Sequence, residues 1–260
     1  LRWRRPARAG AGLVAGVGPL PLAAALQRCA SARLADARQK ALSRRTSSGG
    51  VTVTTAVPEG GAGRELTTLS TDAALLIVGG SGHGQLASAL LGSVTSYVLH
   101  HAACPVMVVP GGPASQGSGR VIVGVDGSPS SQGAFAWALE AAERLDWPLV
   151  ALHAWMMANI QVHLPDSEPR VRQTFEKAIG DWLADEVARA MDGHADTDVT
   201  QLMPYGPVAG ALLNEAGPED LLVLGSRGQG GFKRLLLGSV ASQCAAHARG
   251  SVVVVRQSTA

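Results

Sequence analysis

Gly225-Ser226-Arg227-Gly228, nine further residues, then Gly238-Ser239 is a spacing suited to holding phosphate. It occurs a second time, as Gly79-Gly80-Ser81-Gly82 and, nine residues on, Gly92-Ser93. Each copy follows an apolar run, Leu75 to Val78 or Leu221 to Leu224, which puts it where a strand gives way to a helix. Glycine at such a junction lets the backbone turn sharply and brings N–H groups close to a ligand. A Gly-Ser pair opening a helix adds unpaired amides, a hydroxyl and the positive end of the helix dipole. Ser239 suits both a helix cap and a phosphate ligand, and the two roles are compatible.

Other residues with chemical potential divide quickly. Asp126-Gly127-Ser128-Pro129 is turn chemistry anywhere, but its place at the end of a strand makes Asp126 a ligand candidate. Arg227, Lys233 and Arg234 read equally as solvated surface charges or as phosphate neighbours. His153 lies in an apolar strand and reads as a satisfied core histidine. His100-His101 has no cysteine or carboxylate spacing to complete a metal site, so no metal ligands are expected. A P-loop would need Gly-Lys-Ser/Thr, which the chain lacks. A dinucleotide fingerprint would sit after the first strand of its unit, whereas these glycines follow the fourth. A nucleophile elbow fails because position 83 is His where its last glycine should be.

The two glycine patterns stand at a constant offset of 146 (225 − 79). At that offset Leu90–Val94 falls on Leu236–Val240, His101-Ala102 on His247-Ala248, Gly60 on Gly206, and the Val51–Val57 run on Thr197–Met203. The chain is therefore a tandem repeat of one α/β unit rather than a many-repeat solenoid. The second unit opens with Val121–Val125 and Asp126, whose counterparts would precede residue 1. Its next apolar run, Leu149–Ala154, falls on residues 3–8, Trp-Arg-Arg-Pro-Ala-Arg, which is no buried strand. The first copy is expected to lack its opening elements.

Composition excludes more than it selects. A net charge of +2, with no basic block beyond the extreme N-terminus, gives no reason to expect nucleic acid as a partner. With 46% hydrophobic but only 4% aromatic residues, the core must be built from Val, Ala and Leu. Cys29, Cys104 and Cys244 have no C-x-x-C spacing and read as buried small residues. Arg2, Arg4, Arg5 and Arg8 before an apolar stretch imitate an export signal, but glycines and prolines interrupt it. The expectation is a cytoplasmic protein with no membrane partner.

The elements that must position these residues read as strand 121–125, helix 130–145, strand 149–154, helix 170–191, strand 199–203, helix 208–216, strand 221–225, helix 239–249 and strand 251–255. Phe135, Ala138, Leu139 and Ala142 share one face of the first of these helices. Such alternation predicts an α/β fold: two tandem Rossmann-like, parallel five-stranded sheets with flanking helices, the first copy incomplete. The boundaries expected are 1–110 for the first domain, 111–119 for a Gly/Pro/Ser linker and 120–257 for the complete second domain. In a doubly wound sheet Asp126 and the later glycine loop then meet at the point where strand order reverses.

Val-Gly-Val-Asp-Gly-Ser (123–128), Leu-His-Ala-Trp (152–155) and Leu-Gly-Ser-Arg-Gly-Gln-Gly-Gly-Phe-Lys-Arg-Leu-Leu-Leu-Gly-Ser-Val (224–240) resemble a universal stress protein of the tandem-domain form common in actinobacteria. The resemblance covers the second unit whole and the first from about residue 35. The G-x2-G-x9-G-S spacing implies the ATP-binding subclass, with Mg²⁺ accompanying the nucleotide. By the same resemblance Val125 and Asp126 would contact the adenosine, and Ala154 would read the adenine edge through its backbone. Leu224, Gly225 and Gly228 would wrap the ribose and first phosphates. Gly238, Ser239, Val240 and Ala241 would hold the terminal phosphates. In the first unit only Gly79, Gly82, Gly92 and Ser93 match, without the Asp. Val252–Val255 would pair with Val106–Val109 as in the family's dimers, making an intrachain pseudo-dimer; a homodimer stays open. The function implied is a nucleotide-dependent regulatory, stress-response protein. A slow ATPase or phosphotransferase using the same pocket, or a non-functional fragment, are the alternatives. No catalytic residue is assigned, because no base stands beside Gly238-Ser239.

Overall fold

The computed structural model describes residues 21–43, 52–80, 91–111, 118–156, 169–194, 197–230 and 236–256. The chain divides into two units, residues 1–59 and 60–260. Within the first, helix α1 spans Pro21–Ser43. None of its described side chains is buried, and Lys40 pairs with Asp36 one turn away at 2.8 Å. Cys29 is accordingly exposed, against the expectation that all three cysteines are buried.

Residues 52–57 form no strand, although the offset lays them over Val199–Leu202, which do. Strand β5 (Val199–Leu202) pairs with β4 (Leu149–Leu152), and the positions matching β4 in the first repeat lie outside the described residues.

The second unit is built on one seven-stranded sheet. Its remaining strands are β1 (Leu76–Gly79), β2 (Val106–Val109), β3 (Val121–Gly124), β6 (Leu221–Gly225) and β7 (Ser251–Val255). The order is β1-β2-β7-β6-β3-β4-β5. All neighbours run parallel except β2 and β7, which pair antiparallel with Val106 opposite Val254 and Val108 opposite Val252. The strand pairing expected between the two repeats is thus present, and it fuses their sheets edge to edge. Within the second repeat the five strands are all parallel, and chain order reverses between β3 and β6.

Helices cover both faces, as continuous Val/Leu runs require. Ile122, Leu152, Leu222 and Val252 pack with α3 (Ser93–His101), α6 (Val208–Glu215) and α7 (Ser239–His247). The alternate residues Val121, Ala151, Val223 and Val253 pack on α4 (Pro129–Leu145) and α5 (Pro169–Ala190). Phe135, Ala138, Leu139 and Ala142 of α4 are all buried there. Helix α4 starts on Ser128, whose hydroxyl accepts from the Ser131 amide, with Pro129 in the first turn. It stops at Asp146 in the left-handed region. Cys104 and Cys244 are buried; burial raises both thiols, that of Cys244 to about 12. Among the described residues no helix is long and apolar enough to cross a membrane.

The 146-residue offset holds at the level of single hydrogen bonds. Gly60 and Gly206 share an unusual positive φ, 146° and 144°. Gly80 N–H donates to Val109 O at 2.9 Å, and Ser226 N–H to Val255 O at 2.8 Å. Cover is what differs. Ile77 of β1 is 58% exposed, while Val223, its counterpart, is fully buried. Strand β6 has β3 and α4 beside it; among the described residues β1 has only β2 on its flank.

Candidate functional site

The reversal point leaves a crevice at the carboxyl ends of β3, β4 and β6, and the local sequence shapes it. Gly225 ends β6 against the first turn of α4. A Cβ there would stand 2.7 Å from the Ser130 carbonyl carbon and 2.8 Å from its oxygen, so only glycine fits. Serines then tie that turn to the glycine loop. Ser128 Oγ donates to Arg227 O at 3.3 Å, and the Arg227 amide donates to Ser130 Oγ at 3.4 Å. Ser131 Oγ donates to Gly124 O at 3.2 Å and accepts from the Asp126 amide at 3.1 Å.

Asp126 closes the loop from the other side. Its Oδ1 accepts from Ser128 N–H at 2.9 Å and its Oδ2 from Gln229 N–H at 3.0 Å, while Gln229 Nε2 donates back to Asp126 O at 2.6 Å. Gly228 lies directly beneath, where a Cβ would come within 2.5 Å of Asp126 Oδ2. The carboxylate thus bridges residues 103 apart in sequence.

At the next wall, the amide following β4 bonds across to β5: His153 N–H donates to Leu202 O at 2.9 Å. His153 Nδ1 bonds Val125 O at 2.7 Å, and its ring meets Trp182 edge-on at 4.7 Å. Its ring nitrogen is partnered as expected, but the residue is half-buried and lines the cavity rather than sitting in the core. Ala154 follows, nearly buried.

The last wall is the start of α7. Gly238, not Ser239, is the cap residue: its φ and ψ are −74° and 156°, and no side chain caps the helix. Its amide donates to Ser226 O at 2.7 Å, as Gly92 N–H does to Gly80 O at 2.9 Å in the first repeat. Ser239, Val240 and Ala241 begin the helix, so their amides are donors without intrahelical acceptors.

These walls enclose a cavity of about 540 Å³, within the range of small-molecule sites. Val125, Asp126 and Ala154 line one side of it; Leu224, Gly225 and Gly228 line the middle. Gly238, Ser239, Val240 and Ala241 line the far side. All ten second-repeat residues singled out from the sequence therefore come together. Val208 and Leu212 of α6 add an apolar wall that sequence reasoning missed, although their i, i+4 spacing was a signal for a shared face. Gln229 was missed too, since its role depends on where Asp126 lands. Asp126 and Arg227 are the charged Asp, Glu, Lys or Arg residues among the described lining.

Gly79, Gly92 and Ser93 of the first repeat do not line this cavity, and Gly82 lies outside the described residues. Thr95 stands at the repeat position of Ala241, and its hydroxyl donates to Gly79 O at 2.7 Å. Lys233 and Arg234 also lie outside the described residues. His100 and His101 bond the carbonyls of Ser96 and Tyr97 through Nδ1. Among the described residues no group of three His, Cys, Asp or Glu could hold a metal ion.

Comparison with known proteins agrees with this architecture. The sequence profile of the universal stress protein family matches residues 13–110 and again 117–256. A universal stress protein of Mycolicibacterium smegmatis is 36% identical over 209 residues, 80% of this chain and 70% of the relative. One of Mycobacterium tuberculosis is 36% identical over 194 residues, 73% of this chain, which spans 64% of that relative's length. Among solved structures, a universal stress protein of Archaeoglobus fulgidus superposes with a TM-score of 0.52 at 21% identity, over 75% of this chain and 66% of that one. The two matches of the family profile take in nearly all of the chain, and the chain belongs to the universal stress protein family.

Proposed function

We propose that this protein binds ATP, with Mg²⁺, in the second-repeat cavity, and that occupancy of the site regulates a stress response in the cytoplasm. The observation that carries the reading is the start of α7. Three consecutive amides without intrahelical acceptors begin a helix that lines the cavity, beside a loop whose Gly225, Gly228 and Gly230 leave the backbone approachable. Phosphate groups fit that surface. The apolar wall of Val208 and Leu212, with the backbone of Ala154 opposite, suits the flat base.

Binding is favoured over turnover by the state of Asp126. It is the carboxylate lining the described cavity, and both of its oxygens already accept backbone amides. It is therefore not a free base for a water attacking the terminal phosphate. The antiparallel β2–β7 ladder supports reading the repeats as an intrachain pseudo-dimer. A ligand that bound two states of that assembly unequally would shift it between them.

Calorimetric titration with Mg–ATP tests the reading, with Gly238→Val as the comparison. A Cβ at Gly238 would lie 3.3 Å from Ser226 O and 3.5 Å from Arg227 Cα, wedging the helix start away from the loop. Its φ of −74° suits valine, so the variant should fold. One site per chain, lost in the variant, is expected. Absence of heat from the folded wild-type protein would refute nucleotide binding.

A further inference from the structure

Arg227 is the one cationic Lys or Arg side chain among the described residues lining the cavity. It is half-buried, and its backbone is gripped on both sides by the serines that open α4. Its Cα lies 3.5 Å from the position of a Cβ on Gly238, which places its backbone against the residue that caps α7. Among the described residues no carboxylate or other group pairs with its guanidinium. The other arginines near the sheet are occupied. Arg120 pairs with Glu215 and Asp220, and Arg256 Nη1 donates to Leu99 O at 3.3 Å and His100 O at 2.6 Å.

Burial first, and then the charge of Arg227, hold the Arg256 guanidinium below the usual range, and Arg256 itself is spent on the C-terminal carbonyls of α3. Arg227 is left as a charge without a partner among the described residues, on a backbone that lies against the start of α7. An anion of higher charge bound in the cavity would be drawn to it more strongly.

Building on the nucleotide reading above, we infer that Arg227 makes the pocket select adenine nucleotides by phosphate charge, favouring the triphosphate over the diphosphate, monophosphate and free nucleoside. The base and ribose contacts come from residues without net charge or from Asp126, whose oxygens are occupied, so they contribute alike across that series. Arg227 acts as a specificity determinant at the phosphate end and takes no part in a bond-making step.

The test is calorimetric titration of the full chain with adenosine, AMP, ADP and ATP, for wild type, Arg227→Gln and Arg227→Lys, at two salt concentrations. For Arg227→Gln, ATP affinity should fall about tenfold while adenosine stays within about twofold, as loss of one partly desolvated charge predicts. The salt dependence of ATP binding should flatten, and Arg227→Lys should recover most of the loss. Equal loss for ATP and adenosine would show a structural role and overturn the inference. So would an ATP affinity unchanged in Arg227→Gln. If the folded wild type binds none of the four ligands, the nucleotide reading falls and takes this inference with it. If wild type binds but the variants lose affinity without regard to phosphate number, only this inference falls. Unchanged urea unfolding of the variants would separate either result from a folding defect.

Discussion

Asp220→Ala should loosen the near end of the two strands whose far ends form the cavity. Asp220 precedes β6 and reaches across to Arg120, which precedes β3. Its Oδ1 accepts from the Arg120 amide at 2.9 Å, and its Oδ2 from Arg120 Nη2 at 2.8 Å and the Gly217 amide at 2.9 Å. The Leu221 amide returns a bond to Arg120 O at 2.9 Å. Alanine leaves two backbone amides without acceptors, at about 1 kcal/mol each. It also removes a charge-assisted bond worth about 1 kcal/mol once Arg120's exposure to solvent is allowed for. Asp220 is 9% exposed and Arg120 37%, so the amides rather than the ion pair dominate. The expected loss is about 3 kcal/mol, a large share of the 5–15 kcal/mol typical of a domain. Urea unfolding followed by tryptophan fluorescence would read this as a midpoint lower by about 1 M, taking a slope of about 3 kcal/mol per molar for a unit of this size. Glu215→Gln keeps a neutral partner at an outer position and should cost less than about 1 kcal/mol. A midpoint change under about 0.3 M for Asp220→Ala, or equal losses in the two variants, would refute the reasoning.

The same joint gives the protein an acid limit. Burial alone would raise the Asp220 carboxyl, but the Arg120 hydrogen bond, the two amides and the guanidinium charge outweigh it and hold it below the ordinary range. A carboxyl depressed on folding stabilises above its unfolded pKa and loses that contribution as pH falls through its folded one. The urea midpoint should therefore drop below about pH 4, less steeply in Asp220→Asn; identical pH profiles would assign the drop to other groups. Alkylation of the native protein at mildly alkaline pH should modify Cys29 alone, and all three cysteines should react in urea, as mass spectrometry would show. Gly225→Ala should cost about 2 kcal/mol by forcing α4 off the end of β6. Gly133→Ala, in α4 with open space around it, should stabilise by about 0.5–1 kcal/mol, and urea midpoints would reveal either reversed.

Much of the cavity could be read from the chain because its parts are local. Strands β3 and β6 are Val/Leu/Ile runs closed by a glycine, Gly124 or Gly225, and Val125, Asp126 and Gly127 follow β3 directly. Glycine spacing and helix starts are short-range properties, so their positions followed from residue type alone. The constant offset carried further, because equal sequence distance between repeats means equal place in the fold. Gly60 and Gly206 with nearly the same φ show this. What resisted reading were matters of partnership. Residues 52–57 have a strand's composition but no ladder, and Ile77 matches a buried valine yet stays exposed. Cys29 was expected inside because free cysteines usually are, but it is exposed on a helix none of whose described side chains is buried.

The sequence by itself determined the α/β alternation, the repeat and the glycine loop, since each depends on periodicity or on the conformational freedom of single residues; the full set of ten site residues came from the family resemblance. Tertiary structure alone decided that the repeats share one seven-stranded sheet, that Gln229 locks onto Asp126, that Gly238 rather than Ser239 caps α7, and that Arg256 turns to the carbonyls of Leu99 and His100. Those are contacts between segments about thirty to a hundred or more residues apart or choices between competing hydrogen bonds. Neither local propensity nor spacing encodes which partner wins; packing of the whole sheet does.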